Sequence, residues 1–284
     1  RSLASGHVDA NRLYVFGISE GGYGSQRLAS YYADYWAGVG PMAGGEPLKN
    51  APVENCANLA FSFLTGAMDE GFYRNKLTGY TKTAFDSLQA KYAGRLMNHS
   101  ADSLFRHRIE LIPNCGHSID YSLTTPWLKT YKRNPYPHTF MWEDYPMDGQ
   151  HRQGFYNLYV MKRPKAADGL KDASGEDRDY YEMDIQDNVI RLSVKKVTYQ
   201  TLERDPVYGI DLKFTKSNHP VIGGKWKIYL NDQLVDMNRP VTVFINDRKA
   251  FEGKLVPRME DMITSCMEYF DPCRVFPASV DVAL

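Results

Sequence analysis

The chain of 284 residues carries 34 lysines and arginines against 34 aspartates and glutamates, a formal net charge of zero, so no global field draws it to nucleic acid or to an anionic membrane. With 43% of its residues hydrophobic, it has the apolar content for one large or two ordinary cores. No apolar run approaches the length of a membrane span, and Cys56, Cys115, Cys266 and Cys273 form no C-x-x-C pair and lie near no histidines at zinc-ligand spacing, which argues against a metal centre.

Residues 1–11 read as the last turn of a helix and a loop, without the apolar core of a signal peptide. Residues 13–24 follow as L-Y-V-F-G-I-S-E-G-G-Y-G. The run Leu13, Tyr14, Val15 and Phe16 is apolar and β-favouring and stops at Gly17, as a buried parallel strand does. From Glu20 to residue 33 there is no proline, and Gly21, Ser25, Leu28 and Tyr32 recur at helical spacing. Strand therefore turns to helix within two or three residues, with Ser19 at the corner.

Residues 36–43 (W-A-G-V-G-P-M-A) and 59–66 (L-A-F-S-F-L-T-G) predict two further short buried strands, with Pro41 near the end of the first. Residues 75–98 have helical spacing, with Leu77, Tyr80, Thr81, Ala84, Leu88 and Tyr92 on one side and lysines opposite. The strand R-I-E-L-I-P at 108–113 then opens into Asn114-Cys115-Gly116-His117. Such alternation predicts a parallel sheet with right-handed crossovers.

Around residues 126–137 the texture changes to a short helix and a proline-studded connection, which sets a boundary between a first domain at 1–137 and a second at 138–284. Residues 139–142 and 155–161 predict short strands, and 162–187, rich in charge and holding Gly169 and Gly175, a long exposed loop. Beyond it, period-two segments begin at Ile190, Ile210, Trp226, Val241 and Phe251, separated by turn signals such as Gly223-Gly224 and Asn246-Asp247. That pattern predicts an antiparallel β-sandwich, with one short helix within 257–270. Cys266 and Cys273 are close enough in sequence to bridge; two separate thiols fit the spacing equally well.

Gly17-x-Ser19-x-Gly21 is a nucleophile elbow: side chains two before and two after the serine would collide in so tight a turn, and the helix N-terminus beneath favours developing negative charge. A serine nucleophile needs a base to take its proton and an acid to orient that base. After the elbow the expected order is acid, then histidine. Asp69 follows a strand at the end of which functional groups of parallel sheets collect, and His117 follows the next strand. Aspartate is also favoured as a helix N-cap, the ordinary alternative for Asp69. Glu70 is its first substitute and Asp120 its second. His7, His99, His107, His138, His151 and His219 have no comparable placement.

On these residues the chain resembles the α/β-hydrolase superfamily, in particular secreted esterases and prolyl-oligopeptidase-like serine hydrolases, whose elbow also ends in a double glycine. Gly66-Ala67-Met68-Asp69 and Gly116-His117 stand where the family has its acid and histidine motifs. The resemblance implies a mixed α/β fold, the C-terminal half of an α/β-hydrolase parallel sheet followed by an antiparallel β-sandwich. It further implies that the upstream strands and a second oxyanion donor come from a missing N-terminal half, in cis or as a second chain. The expected function is hydrolysis of a carboxylic ester, on a small molecule or carbohydrate, through an acyl-enzyme on Ser19, with Asp69 orienting His117 and the Glu20 backbone N–H in the oxyanion hole. No cofactor or metal is expected, and the resemblance implies a secreted or periplasmic location. A prolyl-oligopeptidase-like peptidase is the enzymatic alternative. A non-catalytic binding protein, with the hydrolase part as a scaffold, is the other. The appended β-rich module reads first as a structural appendage that packs on the hydrolase and shapes the rim of its active site, and alternatively as a sugar-binding module that uses Trp226, Tyr229 or Tyr208. Glu20 departs from the Met, Gln or small residue usual after the family's serine.

Overall fold

The computed structural model describes residues 6–94, 103–169 and 178–284, so His99, Gly175 and the far end of the helix expected over 75–98 lie outside the described residues. The chain divides into two compact units. One comprises Asn11–Asn134 and Tyr199–Thr215; the other comprises the described part of Arg1–Ala10 with Pro135–Thr198 and Lys216–Leu284.

The first unit runs β1 (Tyr14–Ile18), α1 (Glu20–Tyr31), β2 (Gly38–Met42), β3 (Ala60–Gly66), α2 (Arg74–Lys91), β4 (His107–Ile112) and α3 (Thr124–Leu128). Its four strands form a sheet in the order β1-β2-β3-β4 with every pair parallel. β2 and β3 are buried at every position, as expected of apolar strands covered on both faces. β1 pairs with β2 alone among the described residues, leaving Phe16 51% and Ile18 43% exposed. Pro41 does lie inside β2, opposite Gly17 and one residue from its end.

The buried face of α1 is Gly22, Ser25, Gln26, Ala29, Ser30 and Tyr31, so the expected stripe of Gly21, Ser25, Leu28 and Tyr32 is turned by about one residue. Gly22 explains the rotation, because a Cβ there would overlap the Met42 carbonyl oxygen: the helix lies with its glycine against the end of β2. In α2, Leu77, Thr78, Thr81 and Phe85 are buried. Phe85 packs against Phe61 and Phe105 at centroid distances of 4.6 and 6.3 Å.

The second unit and the arm shared with the first are built from β5 (Thr139–Asp144), β6 (Gly154–Phe155), β7 (Leu158–Lys162), β8 (Lys165–Ala166), β9 (Arg178–Gln186), β10 (Val189–Arg204), β11 (Asp211–His219), β12 (Val221–Ile222), β13 (Lys225–Leu230), β14 (Val241–Ile245), β15 (Arg248–Gly253), α4 (Met259–Tyr269) and β16 (Ala278–Ala283). One sheet has the order β15-β14-β10-β9-β5 with β11 also on β10; another is β16-β13-β7-β6; β12 pairs with β8. β10 and β14 run parallel, while β9 with β10, β5 with β9, β14 with β15, β13 with β16 and β7, β6 with β7, and β12 with β8 are antiparallel. Trp142 stacks on Phe155 at 5.2 Å and Tyr181 closes on Trp142 at 5.1 Å.

One expectation fails here. The charged stretch 162–187 is not one exposed loop: β9 fills its end, central in its sheet and paired on both sides. Its charges are neutralised rather than solvated. Arg178 pairs with buried Glu143 at 2.8 Å, and fully buried Asp179 meets Lys196 at 2.8 Å and Arg163. Buried charge of that kind persists only when paired. Trp226 and Tyr229 are fully buried core residues, while Tyr208 is 55% exposed, so two of the three rings considered for sugar contact are unavailable. The four cysteines are free thiols, Cys266 and Cys273 being unbridged.

Candidate active site

Ser19 occupies the corner between β1 and α1 at φ 56°, ψ −115°, a backbone region that costs a non-glycine residue about 1–3 kcal/mol and persists only where its surroundings enforce it. The surroundings are specific. Ser19 donates its N–H to the Met42 carbonyl at 2.9 Å, and the Tyr23 N–H donates to the Ser19 carbonyl at 3.1 Å. A Cβ on Gly17 would overlap the backbone of Gly21, and one on Gly22 the backbone of Met42, whereas a Cβ on Gly21 itself would meet open space. The crowding therefore falls on Gly17 and Gly22, and Gly21 contributes its backbone rather than its missing side chain.

Three side chains converge at this corner. His117 Nε2 lies 3.0 Å from Ser19 Oγ, and His117 Nδ1 lies 2.8 Å from Asp69 Oδ2. A carboxylate only accepts, so in the neutral ring Nδ1 carries the proton and Nε2 is left to accept from the serine hydroxyl. The Asp69 side chain is 3% exposed and the His117 side chain 44%: the acid is buried beneath a base that solvent and a reactant can reach.

Gly66 makes this meeting possible. It ends β3, and a Cβ on it would overlap the carbonyl oxygens of Cys115 and Gly116, so the loop carrying His117 passes directly over the strand end that carries Asp69. Met68 then donates its N–H to the Cys115 carbonyl at 2.8 Å. Asp69 is held from behind as well. Arg74 Nη1 donates to Asp69 Oδ1 at 2.8 Å, the Asn75 N–H donates to the Asp69 carbonyl at 3.0 Å, and Asn75 Nδ2 donates to the Ala67 carbonyl at 2.9 Å. Asp69 is not a helix cap, since α2 begins after Tyr73 and has no side-chain cap. Burial raises the pKa of the Tyr23 hydroxyl, opposed by the Arg74 guanidinium.

The other expected residues fall as follows. Glu20 begins α1 with an exposed residue surface, so its N–H is one of the helix-terminal donors without a partner four residues back and its carboxylate is turned to solvent. Glu70 is exposed. Asp120 accepts from Ser122 N–H at 2.9 Å and from Ser122 Oγ at 2.6 Å, bonds that hold its carboxyl below the usual range; neither substitute is the one paired with His117. His107 bonds instead to the Phe105 carbonyl at 2.8 Å and Asp86 at 3.0 Å, and His138 to the Gln233 carbonyl at 2.9 Å.

The sequence reading missed Arg74, for which a lone arginine at a helix start gives no signal, and a second hydroxyl–imidazole–carboxylate chain. In that chain His219 lies 2.9 Å from Thr198 Oγ1 and 2.8 Å from Asp168. Thr198 sits within β10 rather than at a strand-to-helix corner, so it lacks the helix-terminal N–H groups that face Ser19. A cavity of about 420 Å³ lies elsewhere in the first unit, between α2 at Leu77 and Tyr80, the Pro47-Leu48 loop and the arm residues Leu202, Leu212 and Phe214; Ser19, Asp69 and His117 do not line it. Among the described residues no cluster of three or more His, Cys, Asp or Glu has the arrangement of a metal site, and no helix is long and apolar enough to cross a membrane.

An oriented carboxylate, an imidazole with its free nitrogen on a hydroxyl, and that hydroxyl at a helix N-terminus together have the parts needed for nucleophilic acyl transfer. Comparison with models of known protein families finds no match, and comparison with curated proteins finds no relative.

Proposed function

We propose that this chain is a serine hydrolase of α/β-hydrolase type that cleaves a carboxylic ester, with Ser19 as nucleophile, His117 as general base and acid, and Asp69 as the orienting carboxylate. The observation that carries the reading is the continuous Ser19–His117–Asp69 chain at 3.0 and 2.8 Å, built on a serine whose strained backbone sits at a strand-to-helix corner. Ser19 Oγ attacks the ester carbonyl as His117 Nε2 takes its proton. The N–H of Glu20 donates to the oxyanion. Collapse breaks the bond to the alcohol, which leaves with the proton from His117, and water repeats the cycle on the acyl-enzyme to return Ser19 and release the acid.

Esters are favoured over peptides because small-substrate esterases are the commoner members of this resemblance. A carbohydrate-borne acyl group, the antiparallel sheets as an appended sandwich, and a secreted or periplasmic setting belong to the same reading. The test is covalent labelling by a fluorophosphonate alongside turnover of a panel of p-nitrophenyl esters. Labelling at Ser19, absent in Ser19→Ala with an unchanged circular dichroism spectrum, is expected. Labelling that survives Ser19→Ala overturns the assignment; cleavage of peptide p-nitroanilides without ester turnover moves it to a peptidase.

A further inference from the structure

The turn between Asp69 and α2 contains two consecutive aromatic residues in the left-handed region, Phe72 at φ 53° and Tyr73 at φ 58°. Neither is a glycine, asparagine or aspartate, the residues that tolerate this region, so the turn is not held by local preference. It needs contacts from outside itself.

Those contacts come from more than a hundred residues downstream in the chain, at the tip of the arm formed by the end of β10 and the start of β11. Tyr73 Oη donates to Asp205 Oδ1 at 2.8 Å, and the Phe72 and Tyr208 rings lie 4.4 Å apart. Asp205 in turn shapes the tip, accepting the N–H groups of Val207 and Tyr208 on Oδ2. The far side of the turn leads back to the site: the Arg74 guanidinium lies 5.0 Å from the Phe72 ring centre and donates to Asp69 Oδ1 at 2.8 Å. The contacts thus run from Tyr208 through Phe72 and Arg74 to Asp69, with Tyr73 and Asp205 pinning the same turn.

We infer that the 199–215 arm is a positioning element for Asp69, with Asp205 and Tyr208 as positioning residues that hold the Phe72-Tyr73 turn in its strained form and so keep Arg74 and Asp69 in place behind His117. Its consequence for turnover rests on the serine-hydrolase reading above, while the bracing itself does not. The arm is therefore a working part of the first unit, and its sequence acts on the site without touching the reacting atoms.

The brace is read directly by amide hydrogen exchange at Tyr73 and Asn75, whose N–H groups bond to the Glu70 and Asp69 carbonyls across this turn, and at Asp69, whose N–H bonds to the Gly66 carbonyl just before it. In Asp205→Ala these amides should exchange about tenfold faster, with most of the protection restored in Asp205→Asn, which keeps an acceptor for Tyr73. Tyr73→Phe, the loss of one hydroxyl, should act in the same direction and guards against a variant that fails to fold. Unchanged exchange in both Asp205→Ala and Tyr73→Phe overturns the inference. On activity, Tyr208→Ala should lower kcat and the rate of fluorophosphonate labelling about tenfold with KM unchanged. A raised KM with unchanged kcat would assign the Phe72 and Tyr208 rings to substrate contact and overturn the positioning role. A wild-type chain that is never labelled overturns the hydrolase reading, and the exchange data then still decide the brace.

Discussion

Gly66 and Gly116 approach so closely that a single added Cβ on Gly66 would overlap the Gly116 carbonyl oxygen. The contact brings two loops together from the ends of adjacent parallel strands, and it sits beside the 2.8 Å bond between Asp69 and His117. Gly66→Ala must displace backbone rather than a flexible side-chain end, so the His117 loop lifts. Overpacking of this kind costs about 1–3 kcal/mol, and the larger effect should be on labelling of Ser19. We expect a folded variant with a lowered Tm and labelling slowed by about a hundredfold or more, since small misplacement of a reacting group is that costly. Wild-type labelling in Gly66→Ala would show that the two loops adjust freely.

The elbow glycines should separate in the same way. A Cβ on Gly22 overlaps the Met42 carbonyl oxygen, while one on Gly21 meets nothing within 4 Å. Gly22→Ala is therefore expected to push α1 off β2 and destabilise the chain by about 1–3 kcal/mol. Gly21→Ala, at a helical position where alanine is preferred to glycine by about 1 kcal/mol, should be neutral or slightly stabilising. Urea unfolding of the two variants side by side checks the order; a Gly21→Ala variant that is the less stable of the two would contradict it.

Asp69 is placed to orient His117, with Nδ1 of the ring 2.8 Å from its Oδ2. Asp69→Asn keeps the shape but offers an N–H where the ring needs an acceptor, and the resulting tautomer puts a proton on Nε2 where Ser19 must donate. In the proposed reaction kcat should fall by about 10⁴-fold, the scale of loss when this tautomer is disturbed. His117→Ala should be comparably damaging. His107→Ala should leave turnover near wild type, because that ring bonds to Phe105 and Asp86 instead. Equal loss in a folded His107→Ala variant would move the role of base.

How far the sequence could be read depended on whether each feature has a local cause. Strand, corner and helix around Ser19 do, because apolar β-favouring residues, a glycine pair and an uninterrupted helical run lie within twenty residues of one another. Asp69 and His117 were legible for a related reason: in a parallel sheet, groups just past consecutive strand ends meet at one edge. Features that depend on distant partners were not. The charges of β9 read as loop because nothing in the segment shows that Glu143, Lys196 and Arg163 neutralise them. Trp226 and Tyr229 face opposite sides of β13, and the rings that pack on them come from elsewhere in the chain, Tyr181 against Trp226 and Tyr269 and Phe276 against Tyr229. The arm gives the clearest case. Its period-two pattern predicts strands, but its Tyr208 and Asp205 meet Phe72 and Tyr73 through a pairing that no local signal records.

The Tyr73–Asp205 bond should fail at both ends of the pH scale, and the two failures have separate causes. The Asp205 carboxyl is held below its ordinary value of 3.8, chiefly by the Tyr208 N–H and also by the Tyr73 hydroxyl and the Val207 N–H. An acid with a depressed folded-state pKa contributes its stability in full above the ordinary value and loses it as pH falls through the depressed one. The Tyr73 hydroxyl is shifted the other way, above its ordinary value of 10.0, chiefly by its bond to Asp205. A group favoured in its protonated form contributes in full below the ordinary value and loses that contribution as pH rises through the raised one. Between these limits the arm tip should stay closed, so protection of the Asp69, Tyr73 and Asn75 amides should be level from mildly acid to mildly alkaline pH. Tm measured against pH should show an acid limb that Asp205→Asn removes and an alkaline limb that Tyr73→Phe removes, each variant leaving the other limb in place. Opening of the turn at neutral pH, with no change on either substitution, would mean that this hydrogen bond does not hold the tip.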